Sequence, residues 1–382
     1  MELDYVVLRS TVASIGLRYF DSGMEGIQLE ERRLSEVEHA ELSQDPRTNV
    51  IAASMPMRLI EPTEVHDVQT SLGSATWGVE AVMATRSPFD GSGITVSVLD
   101  TGIDPTHEAF QGIKLKRKNF TNESEDDQQG HGTHCAGTIF GQDVGGYRIG
   151  VARGIEQALI CKVLGSGGGS SATLARAIQW SVNEGAHVIS MSLGIDFPGF
   201  VAEMVKRGLD INAATSIALK GYRDNINLFN ALKQQVEAMA AFEQGTVIVA
   251  ASGNESKRPK YEIDVAPPAS SVGLAVGALR QTAKGLSVAP FSNSNVDVSA
   301  PGVNVVSAKL RGGLISKSGT SMAAPHVAGV AALWAQKLIS ATGRVEPKAL
   351  MAQLIAGVNT ATLAAGFRKA DVGTGIVQAP AH

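Results

Sequence analysis

The sequence predicts an α/β protein with a mostly parallel central sheet, helices on both of its faces, and a small α+β unit at the N-terminus. Short β-branched apolar runs closed by small or turn residues recur at 94–99 (ITVSVL), 158–164 (ALICKVL), 187–192 (HVISMS), 246–251 (TVIVAA) and 272–277 (VGLAVG). Such runs mark strands buried on both faces. Helical patterns lie between them, at 172–184 and from about 214 to 243, and this alternation builds parallel sheets. Residues 1 to about 70 differ. The charged stretch 25–46 reads as a helix ending near Asp45-Pro46, and an extended run follows over 48–62. The expected organisation is a unit over 1–70, a linker within 63–76, and a large domain over 71–382 with a helical insertion at about 198–243.

Composition narrows the function classes. The 382 residues can bury one large core and one small one. A net charge of −4 and the lack of a Lys/Arg stripe interleaved with aromatics point away from nucleic acid and anionic membranes as partners. The most apolar stretch, 322–335, is too short to span a bilayer and is interrupted by Pro325 and His326. Cys135 and Cys161 are too few for a disulfide framework and lack metal-ligand spacing. The start, MELDYVVLRS, does not read as a secretory signal, so a cytoplasmic location is expected.

Three residues at strand-end turns carry chemistry. Asp100 follows ITVSVL in VLDTGID (98–104), His131 opens a small-residue helix in GHGTHCAG (130–137), and Ser321 stands in SGTSMAAPHVAG (318–329). A serine hydroxyl needs a neighbouring base to become a nucleophile, and the base needs a carboxylate to fix its tautomer. In sheets of this kind, working residues gather beyond the carboxyl ends of the strands. Pro325, placed in the first turn of the helix after Ser321, marks a helix N-terminus there, where developing negative charge is favoured. Asn254, in AASGNES (250–256), also follows a strand. Its amide could donate to an oxyanion beside the Ser321 N–H.

These blocks, in the order Asp–His–Ser, resemble those of the subtilisin-like serine proteases, and AASGNES resembles that family's oxyanion asparagine block. The resemblance runs from about residue 75 to the end of the chain. It implies a serine endopeptidase in which Asp100, His131 and Ser321 are catalytic and Asn254 completes the oxyanion hole. Leu164, Gly165, Ser166 and Gly167, with Ser192, Leu193 and Gly194, resemble the two segments flanking an extended substrate; Ser252 and Gly253 belong to the same cleft. Protein or peptide substrates are therefore expected. The tail GTGIVQAP (373–380) resembles the close of the catalytic domain, implying that no domain follows. Residues 1–70 stand where the family has a pro-domain that assists folding and inhibits. The segment between about 55 and 70 would then lie in the cleft and be cut by the enzyme itself.

The chain also departs from the pattern. Ala109 and Val144 fall where members often place side-chain ligands for a tight calcium, so no cofactor is expected to be required. The acidic loop NESEDDQQG (122–130) is a weaker calcium candidate, more simply a solvated loop. The helical segment 200–242 is an addition that could gate the cleft, dock a partner, or be peripheral. Val265 stands near the expected base of the primary specificity pocket, which favours small or medium side chains there, and Glu255 stands near its rim, where it would tolerate a basic one. Other readings are weaker. His131 and His134 lack a third metal ligand; His134 and His326 read as packed core histidines. Cys135 shares a helix with His131, a poor geometry for attack, and reads as a buried thiol. The glycines of 165–171 lack the Lys-Ser/Thr of a phosphate loop. An esterase is disfavoured by the absence of G-x-S-x-G around Ser321, and a silent binding module by the intact catalytic set.

Overall fold

The computed structural model describes residues 2–10, 27–68, 73–240 and 244–381; the expected domain boundary at 70 and the end of the helical stretch at 241–243 lie outside them. The N-terminal unit is a three-stranded antiparallel sheet, with β1 (Leu3–Ser10) between β2 (Ile27–Leu34) and β3 (Thr48–Ala53). The one helix described there, α1 (Glu36–Ser43), is closed by a capping box from Ser35 and Glu38. The expected helix over 25–46 is thus corrected. Residues 27–34 are a strand in continuous register with β1, from Leu3↔Leu34 to Ser10↔Ile27. Glu, Leu and Arg favour a helix by only tenths of a kcal/mol each, less than a full ladder returns.

The chain then crosses to the large domain through β4 (Pro56–Leu59) and β5 (Glu64–Asp67), followed by the short helix α2 (Trp77–Ala81). Next come β6 (Thr95–Asp100), β7 (Lys114–Asn119), α3 (His131–Phe140), β8 (Gln157–Lys162), β9 (Gly169–Ser170), α4 (Ser171–Asn183), β10 (Val188–Met191) and β11 (Leu193–Ile195). The helical segment is two helices, α5 (Phe197–Lys206) and α6 (Ile211–Met239). After it run β12 (Val247–Ala251), α7 (Ala269–Val272), β13 (Leu274–Thr282), β14 (Gly285–Val288), β15 (Val298–Pro301), β16 (Val305–Ala308), β17 (Leu314–Ser318) and the long helix α8 (Thr320–Thr342).

The central sheet has the order β14-β13-β12-β10-β6-β8-β7, with β15 also on β13; β14 is its antiparallel edge and the other pairings are parallel. Alternate residues feed two cores, as the two-residue period of a strand demands. Val247, Val249 and Ala251 of β12 pack on the side of α3 and α8, and Ile248 and Ala250 on the side of α4 and α6. Each of the five predicted strands is present with ends shifted by a few residues. Since β6 includes Asp100 as its last residue, its carboxylate is fixed by a strand end rather than a loop.

Candidate active site

Asp100 and His131 are both almost wholly buried and joined directly. The His131 Nδ1–H donates to Asp100 Oδ1 at 2.8 Å, with Oδ2 at 3.0 Å. A carboxylate there only accepts, so the other ring nitrogen, Nε2, is left bare, the tautomer a general base requires. No described protein atom donates to that nitrogen.

The start of α3 is held by a residue that the sequence left in a solvated loop. Asp127 is buried. Its Oδ1 accepts from the Thr101 hydroxyl (2.9 Å) and from the N–H groups of Gln129 and Gly130 (2.9 and 2.8 Å). Its Oδ2 accepts from the Thr133 N–H and hydroxyl (2.9 and 2.7 Å). Thr101 in turn accepts from the Gly132 N–H at 2.9 Å. One carboxylate thereby takes up the free donors at a helix N-terminus and ties the His131 helix to the turn after Asp100. The contact is close: a Cβ on Gly132 would lie 2.1 Å from the Gly102 carbonyl oxygen. The sequence signal was present as an aspartate three residues before the glycine that precedes the helix, but a run of acidic neighbours masked it.

Ser321 is the second residue of α8 and is buried. Pro325 lies inside the helix, one turn further on than expected. Proline cannot donate to the carbonyl four residues back, which is that of Ser321; the Cys135 thiol takes this acceptor instead, at 3.4 Å. Burial pushes the Cys135 thiol well above its ordinary range, so it is a protonated donor and a poor nucleophile. Asn254 follows β12. Its Oδ1 accepts from the Thr320 N–H and hydroxyl, both at 2.9 Å, and the Thr320 hydroxyl accepts from the Gly253 N–H at 3.1 Å. The Asn254 amide nitrogen is thereby aimed across the mouth of α8.

A strand of the same chain fills this mouth. β4 lies antiparallel between β11 and β9, pairing Leu59↔Leu193, Arg58↔Gly194, Met57↔Ile195 on one side and Met57↔Gly169, Pro56↔Ser170 on the other. The ladder runs on as the Ile60 N–H donates to the Ser192 carbonyl at 3.2 Å. It resumes beyond with the Thr63 N–H on the Ser318 carbonyl at 2.8 Å and β5 on β17. Between the two ladders, the Ser321 hydroxyl donates to the Ile60 carbonyl (2.8 Å) and Asn254 Nδ2 to the next carbonyl, that of Glu61 (2.8 Å). Two successive carbonyls share what one would need for attack.

Three of the nine expected cleft residues pair with this strand. Ser192, Leu193 and Gly194 form one edge as described, and Gly253 braces Thr320. Ser252 lies behind, its carbonyl accepting from Asn293 Nδ2 at 3.1 Å. On the opposite edge the pairing residues are Gly169 and Ser170. Leu164, Gly165, Ser166 and Gly167 instead line a cavity of about 580 Å³ beside β4, together with Met57, Arg58 and Glu61. A tight reciprocal pair between Gly165 and Gly168, 3.0 Å each way, turns that loop away from the ladder. Val265 is half-buried against the α4–α6 core. Glu255 accepts from Asn293 (2.8 Å) and faces Arg58 of the resident strand (3.4 Å), which also faces Asp196 (3.6 Å).

The two histidines read from the sequence as core residues are structural. His134 is buried, donates through Nε2 to the Val305 carbonyl (3.0 Å), and is held neutral by burial. His326 donates through Nδ1 to the Met322 carbonyl (2.8 Å), and burial lowers its pKa to about 4.

Calcium is common in the family that the sequence resembles, but the two places singled out in the sequence do not fit it. Ala109 and Val144 are buried and offer no side-chain lone pair, where a calcium needs several oxygens. In the acidic loop, Glu123 accepts from the Ser166 N–H and hydroxyl, and Glu125 and Asp126 pair with Arg117. Among the described residues the close group of potential ligands is Asp100, His131 and Cys135, which is the buried pair itself with the protonated thiol.

The subtilase family model matches residues 91–373. The chain belongs to the subtilase family. This subtilase is 36% identical over 277 residues to M-protease of Shouchella clausii, an alignment covering 71% of this chain and 62% of that protein. It is also 36% identical over 270 residues to Subtilisin Savinase of Lederbergia lenta, covering 69% of this chain and 85% of that protein. Alkaline serine exoprotease A of Vibrio alginolyticus matches at 29% over 355 residues, 89% of this chain and 56% of that protein. A match of that extent reaches into the N-terminal unit, since residues 71–382 alone could not supply it. The chain thus spans about 62% of the first of these relatives. The cytoplasmic location expected from the first residues is overturned, since it conflicts with the relatives matched, among them M-protease and an alkaline serine exoprotease. A helix long and apolar enough to cross a membrane is absent among the described residues.

Proposed function

We propose that this subtilase is a serine endopeptidase made as a zymogen that cuts its own chain at the Ile60–Glu61 bond. His131 Nε2 takes the Ser321 proton as Oγ attacks the scissile carbonyl carbon, and Asp100 stabilises the imidazolium. The oxyanion is held by Asn254 Nδ2 and the Ser321 N–H at the N-terminus of α8. The tetrahedral intermediate collapses as the imidazolium gives its proton to the leaving amine, leaving an acyl ester on Ser321. Water, deprotonated by the same histidine, then releases the acid. The mechanism calls for no organic cofactor and no metal ion, and its substrates are extended peptide segments bound as β4 is, by main-chain pairing on both edges.

The observation that carries this reading is the pair of bonds from Ser321 and Asn254 to consecutive carbonyls of a strand crossing the cleft. In a reactive complex both groups must serve one carbonyl: its carbon against Oγ, its oxygen on Nδ2. Here the hydroxyl proton is spent on the Ile60 oxygen rather than on His131, so the strand waits one residue out of step. The ladder favours Ile60–Glu61 as the bond to be cut, since Leu59 and Ile60 pair directly with β11 and Ser192 up to the nucleophile. The next bond, Glu61–Pro62, ends in a ring nitrogen with no N–H and a fixed φ, which disfavours its entry.

Mass spectrometry of the purified chain beside Ser321→Ala tests this. Wild type is expected as residues 1–60 plus a polypeptide beginning at Glu61, with the variant whole and inert on peptide substrates. A wild type that stays whole on long incubation and hydrolyses no peptide overturns the proposal.

A further inference from the structure

One side chain of the strand in the cleft points away from the apolar cores. On β4, Met57 and Leu59 are buried against the α4–α6 core, while Arg58 between them faces out, as the two-residue period of a strand requires. Its partner in the ladder is Gly194, where a Cβ would meet nothing within 4 Å, so nothing there crowds the guanidinium. Arg58 stands between two carboxylates from different elements, with Asp196 Oδ1 at 3.6 Å and Glu255 Oε1 at 3.4 Å.

Both carboxylates are aimed by bonds that do not involve Arg58. Asp196 opens the added helical segment as the N-cap of α5, and its Oδ1 accepts from the Gly199 N–H at 3.1 Å, the bond a cap makes. A Cβ on Gly199 would lie 2.1 Å from Asp196 Oδ2, so this carboxylate fits only over a glycine. The Asp196 N–H also donates to the Pro56 carbonyl at 2.8 Å, which ties the same residue to the main chain of the resident strand. Glu255 Oε2 accepts from Asn293 Nδ2 at 2.8 Å. Asn293 is buried, and its Oδ1 accepts from the N–H groups of Glu255 and Ser256 (3.2 and 3.1 Å).

We propose that Asp196 and Glu255 form a specificity site for a basic side chain, arginine above all, at the third residue before the bond that is cut. This rests on the endopeptidase reading above, in which peptide substrates follow the path of β4, and it adds which of them are preferred. Glu255 then serves the position of Arg58 rather than that of Ile60. A guanidinium presents its donors as a fork and stays charged, so one side chain can face both acids. Because Asp196 caps the first added helix, the addition supplies half of the site. Arg58 is 50% exposed, Glu255 42% and Asp196 26%, and pairs that open contribute little singly. The preference is therefore several-fold, and salt screens it.

Two measurements test the site. The purified active chain is given otherwise identical peptides, Pro-Met-Xaa-Leu-Ile followed by one common leaving segment, with arginine, glutamine or glutamate at Xaa. The arginine peptide should exceed the glutamine peptide about fivefold in kcat/KM, with the glutamate peptide below both. In about 1 M NaCl the margin should shrink to within about twofold. Asp196→Asn, which keeps the cap, combined with Glu255→Gln should remove the margin through a higher KM for the arginine peptide. Equal cleavage of the three peptides by wild type, or a preference that the double variant keeps, overturns the proposal. The second measurement needs no catalysis. In full-length Ser321→Ala, Arg58→Gln and the Asp196→Asn, Glu255→Gln pair should each speed hydrogen exchange of the Leu59 and Ile60 amides about threefold, and together no more than either alone. Absent or multiplying effects overturn the contact on which the site is built. A chain that hydrolyses none of the peptides, with the exchange effects still coupled, instead overturns the endopeptidase reading and leaves the two acids as a clamp on the resident strand.

Discussion

The turn that seats His131 and the unit that covers the cleft are built in opposite ways. Around His131 one buried carboxylate, Asp127, receives donors from both the strand-end turn and the helix start. The N-terminal sheet has internal register, yet it meets the rest through the packing of one face, with Val6, Leu8 and Ala52 on the α4–α6 core and Leu3, Ala53 and Met55 on α5 and the start of α6, and through the grip at 53–55 and β4. The first region is over-determined, so removing one bond strains several. The second is separable, because its own pairing survives when its docking is lost. A catalytic constellation needs the first kind of construction and a removable cover needs the second.

The contrast can be broken at the oxyanion donor. Asn254→Ala should lower kcat on peptide substrates by about 10²–10³-fold, the loss found for the equivalent donor in subtilisin, and slow the self-cut in parallel, measured by mass spectrometry against time. Because Asn254 also accepts from Thr320, an undiminished self-cut would mean that the split carbonyls of Ile60 and Glu61 are unrelated to reaction.

A smaller effect sharpens the cradle. Asp127→Ala in the Ser321→Ala background leaves buried N–H groups of Gly130 and Thr133 without acceptors. It should cost about 3 kcal/mol in urea unfolding, and the same change in the active chain should depress kcat more than KM by freeing the His131 helix. Loss confined to the N-terminal strands, with the main transition unmoved, would contradict the assignment of Asp127 to the cradle.

Acid provides the mildest probe. His326 titrates at about 4 in the fold, below its ordinary 6.5, because it is fully buried. The unfolded chain therefore takes up this proton first, and stability present above pH 6.5 falls as the pH drops towards 4, by on the order of 3 kcal/mol. Melting of Ser321→Ala between pH 7 and 4.5 should show this slope in the large domain, and His326→Leu should lessen it while leaving the share that the buried His134 and His187 add in the same direction.

Legibility followed the locality of the cause. Asp100, His131, Ser321 and Asn254 could be named because each sits in a short block whose strand, turn or helix start is dictated within a few residues, and parallel topology gathers strand ends on one side. The strand at 27–34 could not, because its alternative as a helix differs by less than the ladder with β1 supplies, and that ladder is made with distant residues. Asp127 looked like one carboxylate among several until the fold buried it alone of the run. The addition at 197–239 could be read as helical from its periodicity, whereas the partner of its first half lies at the opposite end of the chain.

The amino-acid order by itself determined the fold class, the family and the candidate catalytic residues, since these rest on local turns and two-sided apolar strands. Only the tertiary structure decided that Ser321 donates to Ile60 while Asn254 holds Glu61, that Cys135 takes the carbonyl Pro325 leaves free, and that α5 and α6 receive the N-terminal sheet. Each of these depends on where segments far apart in the chain come to rest, and hydrogen-bond geometry is settled by tenths of an ångström that no spacing along a sequence encodes.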